Sequence, residues 1–156
     1  MWNYNHTEAL YHHGVKGQKW GVRRYQNQGG SLTPEGRRRQ KIIDKELEFQ
    51  NKKIKNHMSL AKQYRDSANQ IRKDGYNLLR KQGYSDKDAK DAVAITVKKR
   101  ETEALWNEHV ANHIKKYNQK LSEVDINSMS RLQIHGYIQT LGNQTLNEIN
   151  STWKEP

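Results

Sequence analysis

The sequence predicts an all-α protein in which an extended N-terminal segment precedes a helical body. After Thr33, apolar residues recur at the three- and four-residue intervals of one helix face, in two long stretches and a shorter third. A short linker around Gly83 separates the two long stretches, which is typical of an antiparallel helical hairpin. Residues 11–27 show neither a helical period nor a strand alternation, and we expect residues 1–32 to form an extended segment, with a short strand or one helical turn as alternatives for residues 1–10.

The first helix is predicted over residues 34–82. Thr33 can cap it, Pro34 suits its first position, and Glu35 complements the positive end of the helix dipole. Gly83 is the residue type expected just after its end. Its heptad a and d positions form a narrow, partly polar seam, which indicates a loose bundle or coiled coil. These positions are Gln40, Ile43, Leu47, Gln50, Ile54, His57, Ala61, Tyr64, Ala68, Ile71, Gly75 and Leu78.

Two further helices are predicted over residues 86–122 and 127–153. Ser85 is the expected cap of the second helix, and an acidic residue follows three positions later. The third helix has a regular apolar face, but Gly142 and Asn143 form a candidate break within it. No internal repeat connects the three helices.

The chain is therefore divided into a docking segment, residues 1–32, and a helical body, residues 33–156. Residues 27–31 are rich in glycine, asparagine and glutamine and are predicted to be a flexible connector between the two. At 156 residues, a single domain with one appended segment is the expected organisation.

The composition favours an elongated or partner-dependent structure over a compact enzyme. Apolar residues make up only 33% of the chain, below the ~45–50% of ordinary globular proteins. The absence of cysteine excludes disulfides and thiolate metal sites. No apolar run approaches the ~18 residues of a membrane span, and the N-terminus lacks a secretory signal. We therefore expect synthesis in the cytoplasm and no membrane partner.

The positive charge is concentrated in the N-terminal part of the chain. The net charge is +11, and residues 1–41 carry eight Lys or Arg against Glu8 and Glu35. Residues 121–156 carry two against four acidic residues. This gradient suits a polyanionic neighbour, either nucleic acid or an acidic protein surface. A solvated helix face that keeps the protein soluble would show the same net charge.

A dense motif near the N-terminus resembles a module of virion-associated proteins of tailed bacteriophages and prophages, mostly of Gram-positive hosts. The motif has two parts, His12-His13-Gly14-x-x-Gly17-x-Lys19-Trp20-Gly21-Val22-Arg23-Arg24-Tyr25-Gln26-Asn27 and Gly30-Ser31-Leu32-Thr33-Pro34-x-Gly36-Arg37. Gln28-Gly29 stands where the family usually has an asparagine–aspartate or similar pair. The resemblance implies a phage structural context. It assigns no role to the body, because the module is shared by proteins with different bodies.

The residues of this module suit a protein interface. Trp20 and Tyr25 are candidate anchors, and Arg23 and Arg24 can pair with carboxylates on a partner. The candidate partner-binding residues are His12, His13, Lys19, Trp20, Arg23, Arg24 and Tyr25. Cations with interleaved aromatic residues also suit non-specific binding to nucleic acid. The candidates for that role are Lys16, Arg37, Arg38, Arg39 and Lys41.

No constellation in the sequence indicates metal binding or catalysis. His109 and His113 are one helical turn apart, but they lack the glutamate of a His-Glu-x-x-His site, and we expect this pair to face solvent. His12 and His13 are expected to donate to backbone carbonyls. The Walker pattern is absent around Gly14, and no serine, threonine or lysine is marked as a nucleophile by its context. We therefore expect a non-enzyme without a metal or cofactor.

These observations lead to three functional hypotheses. The first is a non-enzymatic phage virion structural protein, made in the host cytoplasm, that docks to a head protein such as a capsid, portal or other shell protein. The second is a non-specific double-stranded DNA-binding protein, packaged in the capsid or ejected with the genome. The third is a phage-carried inhibitor of a host protein. Assembly as a homo-oligomer is compatible with each of them.

Overall fold

The computed structural model describes residues 25–27 and 29–156, and over these residues the protein is all-α, as predicted. A long helix α1 (Pro34–Gln70) passes through one π-helical turn (Ile71–Gly75) into a short helix α2 (Tyr76–Lys81). Two more helices follow, α3 (Asp86–Ser122) and α4 (Arg131–Thr152). Within the described residues, extended pairing is limited to one isolated antiparallel bridge between Gln26 and Leu32.

The helical hairpin forms with the predicted caps. Thr33 accepts a hydrogen bond from the Gly36 amide at 3.1 Å, so α1 begins where expected. Gly83 has φ +93°, a left-handed conformation that side-chain-bearing residues rarely adopt, and it reverses the chain. Ser85 then caps α3 by accepting a hydrogen bond from the Asp88 amide. As a result, α3 runs antiparallel to the arm formed by α1, the π-helical turn and α2.

The π-helical turn was not predicted, and it changes which residues face α3. A π-turn adds one residue to a helical turn, which shifts the phase of every following side chain. Leu78, a predicted seam residue, is 56% exposed as a result, while Leu79 next to it is half-buried. The turn includes Gly75, where an added Cβ would lie 3.2 Å from Val93 Cγ2 on α3. The two arms therefore approach closely at this point.

The third helix is shorter than predicted at its start and is not broken in the middle. It begins at Arg131 because Ser130 and Gln133 form a reciprocal capping box. It continues through Gly142 because the neighbouring Leu141 is buried against the hairpin. A glycine inside a helix costs about 1 kcal/mol relative to alanine, and burial of a leucine offsets that cost.

The hydrophobic core lies in the half of the hairpin that α4 covers. We call this half the near end; it comprises residues 34–57 and residues 107–152, which include α4. Its main cluster consists of Ile43, Tyr117, Leu121, Ile126, Ile134 and Leu141. A smaller cluster consists of Val110, Ile114 and Ile149, with Ile54 and Trp106 packed against it.

The other half, which we call the distal end, comprises residues 58–81 and 86–106. Here two helices pack alone through a seam of mostly small side chains. The buried members of this seam are Ala61, Ala68, Ala89, Val97 and Ala104. None of the described helices is both long and apolar enough to cross a membrane.

Candidate docking site

The N-terminal segment joins the body through an ordered turn at the start of α1. The Asn27 amide donates to the Ser31 carbonyl at 2.7 Å, and the Thr33 amide donates to the Tyr25 carbonyl at 2.8 Å. Gly30 has φ +79° and closes the turn. The described residues of the predicted flexible connector therefore form a hydrogen-bonded turn, and the Tyr25–Thr33 hydrogen bond closes it beside the start of α1. We call residues 25–27 and 29–33 the clasp.

A glycine in the first turn of α1 allows the clasp to sit where it does. A Cβ added at Gly36 would lie 2.6 Å from the Tyr25 carbonyl oxygen and 3.3 Å from Leu32 Cδ2. Real Cβ atoms essentially never approach a backbone oxygen at 2.6 Å, so a larger residue at this position would displace the clasp. Gly36 belongs to the second part of the sequence motif. The structure thus gives this part of the motif an attachment role.

Two arginines of the same motif region reinforce the attachment. Arg37 donates from Nη1 to the Leu32 carbonyl at 2.7 Å. The guanidinium of Arg39 lies 3.7 Å from the centre of the Tyr25 ring, which is a cation–π geometry. Arg39 also donates to the Met129 carbonyl in the loop before α4. From its position on α1, Arg39 therefore contacts both the clasp and the α3–α4 loop.

Glu35 completes this junction. Its carboxylate lies 3.2 Å from Arg39 Nε and 3.2 Å from Arg131 Nε, and 3.8 Å from Arg38 Nη1. Because Arg131 is the first residue of α4, the ion pairs connect the first turns of α1 and α4. Glu35, which complements the α1 dipole, therefore also connects two helices.

The predicted site residues fall into two groups in the structure. His12, His13, Lys16, Lys19, Trp20, Arg23 and Arg24 lie outside the described residues. Of the remaining candidates, Tyr25 packs against Arg39 within the clasp, whereas Arg37, Arg38 and Lys41 are exposed. Arg39 is only 7% exposed. Its guanidinium group therefore binds groups within the protein, and in this arrangement Arg39 is not positioned to contact a phosphate.

Further exposed Lys side chains lie along α1, in addition to the candidates Arg37, Arg38 and Lys41. They occupy the heptad b and f positions, which face away from the seam. We call this surface the basic face; its members are Arg38, Lys41, Lys45, Lys52, Lys55 and Lys62. Glu48 is the acidic residue among them, and its ion pair with Lys52 at 2.8 Å lowers its pKa. The sequence itself indicates this face, because Lys and Arg recur at the b and f positions of the α1 heptads.

The histidine pair on α3 does not face solvent, contrary to the expectation. His113 is buried at 8% exposure, and its Nε2 lies 3.1 Å from Thr152 Oγ1. His109 Nε2 lies 3.0 Å from the Ile149 carbonyl oxygen. Burial, followed by the nearby charges of His109 and Lys116, lowers the pKa of His113, and Glu148 opposes that change. The pair thus joins α4 to α3 because α4 covers this side of the hairpin.

Among the described residues, His109 and His113 do not belong to a larger set of metal-binding side chains. In the described part of the chain, no group of three or more His, Cys, Asp or Glu side chains could hold a metal ion. The surrounding rings are instead aromatic neighbours. The ring centres of Trp106 and Trp153 lie 5.0 Å apart in an edge-on contact. The ring centres of Trp106 and His109 lie 5.9 Å apart in a stacked contact. The cluster therefore has the character of a packing contact at the end of α4.

Comparison with known proteins identifies only the N-terminal segment. A model of a family of unknown function, DUF7211, matches residues 5–27. No curated protein and no solved structure matches the chain. The matched segment ends within the clasp, since residues 25–27 belong to both. The family similarity therefore stops where the attachment to the helical body begins.

Proposed function

We propose that this protein is a non-enzymatic phage virion protein whose N-terminal segment docks to a head protein such as a capsid, portal or other shell protein. The observation that supports it most directly is that the described contacts between the motif and α1 involve only the end of its first part and its second part. Its second part, around Gly36 and Arg37, attaches the clasp to α1. Tyr25, near the end of its first part, takes part in the same contacts, and Trp20, Arg23 and Arg24 precede Tyr25 in the sequence. A recognition role for the residues before Tyr25 is consistent with these contacts.

The position of the clasp gives the proposed docking a direction. Tyr25 lies at the start of α1, so the residues before it join the body at the near end of the hairpin. The near end is also the part that α4 and the Glu35 ion pairs brace. A force applied to the docked segment would therefore act on the near end, which contains the larger hydrophobic cluster.

The chemistry of the segment defines the partner surface. Trp20 requires an apolar pocket, because burial of its ring would supply most of the binding energy. Arg23 and Arg24 require carboxylates at the rim of that pocket, where planar guanidinium groups can bind in a bidentate way. The proposed partner site is therefore an apolar pocket with an acidic rim.

The experiment that tests this proposal is quantitative mass spectrometry of purified particles. Arg23→Glu/Arg24→Glu should reduce the copies per particle by at least about 30-fold, because like charges that face each other across an interface cost several kcal/mol. The matched control is Lys98→Glu/Lys99→Glu on α3, which makes the same change of net charge at exposed positions. The proposal is contradicted if the unaltered protein is missing from particles, or if both variants are incorporated equally.

The basic face supports a second candidate function, non-specific binding to duplex DNA. Its six cations extend over about 36 Å of helix, at 1.5 Å per residue. Neutralising six phosphates predicts a slope of about −5 in a plot of log affinity against log salt. The segment-docking proposal does not require this activity, so the two are tested separately.

The DNA-binding candidate can be tested with a matched pair of triple variants. Lys45→Gln/Lys52→Gln/Lys55→Gln should make the salt slope shallower by about 3, because each lost contact removes about 0.9. Lys87→Gln/Lys99→Gln/Lys115→Gln removes the same charge from α3 and should leave the slope close to that of the unaltered protein. A slope near zero for the unaltered protein would exclude the activity.

A further inference from the structure

Helix α4 presents an exposed surface that carries no formal charge. Thirteen residues between positions 132 and 152 are exposed, and none is Asp, Glu, Lys or Arg. They are Leu132, Gln133, His135, Gly136, Gln139, Thr140, Asn143, Gln144, Leu146, Asn147, Asn150, Ser151 and Thr152. In a chain that is 29% charged, such a surface is unusual, because exposed helix positions are where charged residues normally lie.

Two large apolar side chains lie on this surface. Leu132 is 82% exposed and Leu146 is 59% exposed. They are fourteen residues apart, which places them on the same side of the helix, nearly four turns from each other. Leu132, Gly136, Gln139, Asn143, Leu146 and Asn150 follow the heptad spacing and form one stripe opposite the buried residues of α4. We call this stripe the neutral face.

Glycine on the neutral face is not explained by packing within the chain. A Cβ added at Gly136 would meet nothing within 4 Å, and the same is true of Gly142 at the edge of the face. Both glycines have ordinary helical φ values, so neither is needed for a turn. Glycine is among the weakest helix formers, so its use here favours a reason outside the chain. The close approach of another backbone is such a reason.

We propose that the neutral face binds the neutral face of a second copy of this chain, with the two α4 helices antiparallel about a two-fold axis. Two copies that each carry a net charge of +11 repel one another, and the repulsion is smallest where the contacting surfaces are uncharged. A partner of opposite charge would instead be matched by charged side chains, which this face lacks.

A two-fold contact also requires the surface to be complementary to itself, and the neutral face meets this requirement. If Leu132 packs against Leu146 of the other copy, the antiparallel register places Gln139 opposite its own equivalent on the axis. An amide side chain both donates and accepts hydrogen bonds, so glutamine can pair with glutamine. Gly136, which belongs to the neutral face, has no side chain to keep the helix of the other copy at a distance.

The contact leaves the fold of each copy unchanged. The residues that hold α4 to the hairpin, including Ile134, Leu141 and Ile149, lie on the opposite side of the helix. The only formally charged side chains of α4 are at its ends or edge and have partners within the chain. Arg131 pairs with Glu35, and Glu148 lies near Lys120 and His113. The neutral face can therefore be covered without breaking an ion pair.

Sedimentation of the full chain over roughly 1–100 μM tests the proposal, a range in which a two-helix contact of this kind should dissociate. We expect a reversible monomer–dimer equilibrium. Leu132→Asp/Leu146→Asp should raise the dimer dissociation constant at least about tenfold, because the two apolar contacts that flank the axis become like-charge contacts. The matched control, Leu78→Asp/Ile95→Asp, alters residues that are 56% and 69% exposed elsewhere and should leave the equilibrium unchanged.

A second measurement uses the absence of native cysteine. Gln139→Cys should form an interchain disulfide under mild oxidation, whereas Gln144→Cys, exposed on the side of α4, should not. Gly136→Ala should weaken the dimer while raising the helix content of the monomer. The proposal is overturned if the unaltered protein is monomeric throughout, if both aspartate pairs affect the equilibrium equally, or if both cysteine variants crosslink to the same extent.

Discussion

The near and distal ends of the helical body are built from different residues and stabilised in different ways. At the near end, three helices bury large side chains such as Leu121 and Ile134, which are both 0% exposed. At the distal end, two helices meet through alanines such as Ala68 and Ala104. The Arg65–Glu108 and Arg72–Glu101 ion pairs flank this seam, with both arginines about half exposed.

The difference shows that most of the folding free energy should reside at the end that carries the clasp. Buried large side chains contribute about 1.5–3 kcal/mol each, whereas alanine offers much less apolar area. Exposed ion pairs contribute about 0.2–1 kcal/mol. The distal pair of helices should therefore open more often than the near end. The four predictions that follow test this contrast, from the largest expected effect to the smallest.

Truncation of a core leucine at the near end should have the largest effect. Leu121→Ala should lower the free energy of unfolding by about 3 kcal/mol, because it leaves a cavity among large neighbours. Leu78→Ala, at a 56% exposed position of the distal end, should change it by less than about 0.5 kcal/mol. Urea denaturation measures both values. Equal effects of the two substitutions would show that the ends do not differ as described.

Gly36→Ala should release the clasp without unfolding the helices. The new Cβ would lie 2.6 Å from the Tyr25 carbonyl oxygen, and overpacking of this kind costs about 1–3 kcal/mol. The cheapest relief is for the clasp to move away, so the amides of Asn27 and Thr33 should lose their protection from hydrogen exchange. Amides within α3 should keep theirs. Retained protection of Asn27 and Thr33 would argue against the close approach.

The His113 contact should make the near end sensitive to acid. The native pKa of His113 is lowered, mainly by burial, so the unfolded chain binds a proton at higher pH than the native protein does. Stability should therefore fall as pH decreases below the ordinary histidine pKa of about 6.5, until the native value is passed. His113→Gln should remove this part of the pH dependence. An unchanged profile between pH 7 and 5 would assign the dependence to other groups.

Removal of an ion pair at the distal end should have the smallest effect. Arg65→Ala should cost about 0.2–1 kcal/mol, because Arg65 is 51% exposed and solvent screens its bond to Glu108. Hydrogen exchange should be faster for residues 86–106 than for residues 107–121 in the unaltered protein. Slower exchange at the distal end would reverse the assignment of stability to the two ends.

The architecture could largely be read from the sequence because its determinants are local. Thr33, Gly83 and Ser85 set the helix ends through their own hydrogen bonds or backbone angles, and these do not depend on distant residues. The π-helical turn could not be read in this way. Its effect, the exposure of Leu78, depends on how closely α3 approaches Gly75.

The candidate site was harder to predict because its contacts join residues that are far apart in the chain. Arg39 looked like one of three neighbouring surface arginines, but a carbonyl ninety residues away and the Tyr25 ring bury it. The expectation for His113 failed for the same reason, since α4 covers it. In contrast, Gly36 was part of the recognised motif, and the structure supplies its physical reason.

The central claim is that the N-terminal segment recognises a partner while the helical body folds independently of that contact. Trp20→Ala tests it most directly, because a central aromatic anchor typically contributes ~2–4 kcal/mol, or roughly 30- to 1000-fold in affinity. We predict that the variant is lost from purified particles while its helix content and melting temperature stay almost unchanged. If the variant instead unfolds, and its loss from particles follows from that, Trp20 belongs to the fold and the docking account is wrong.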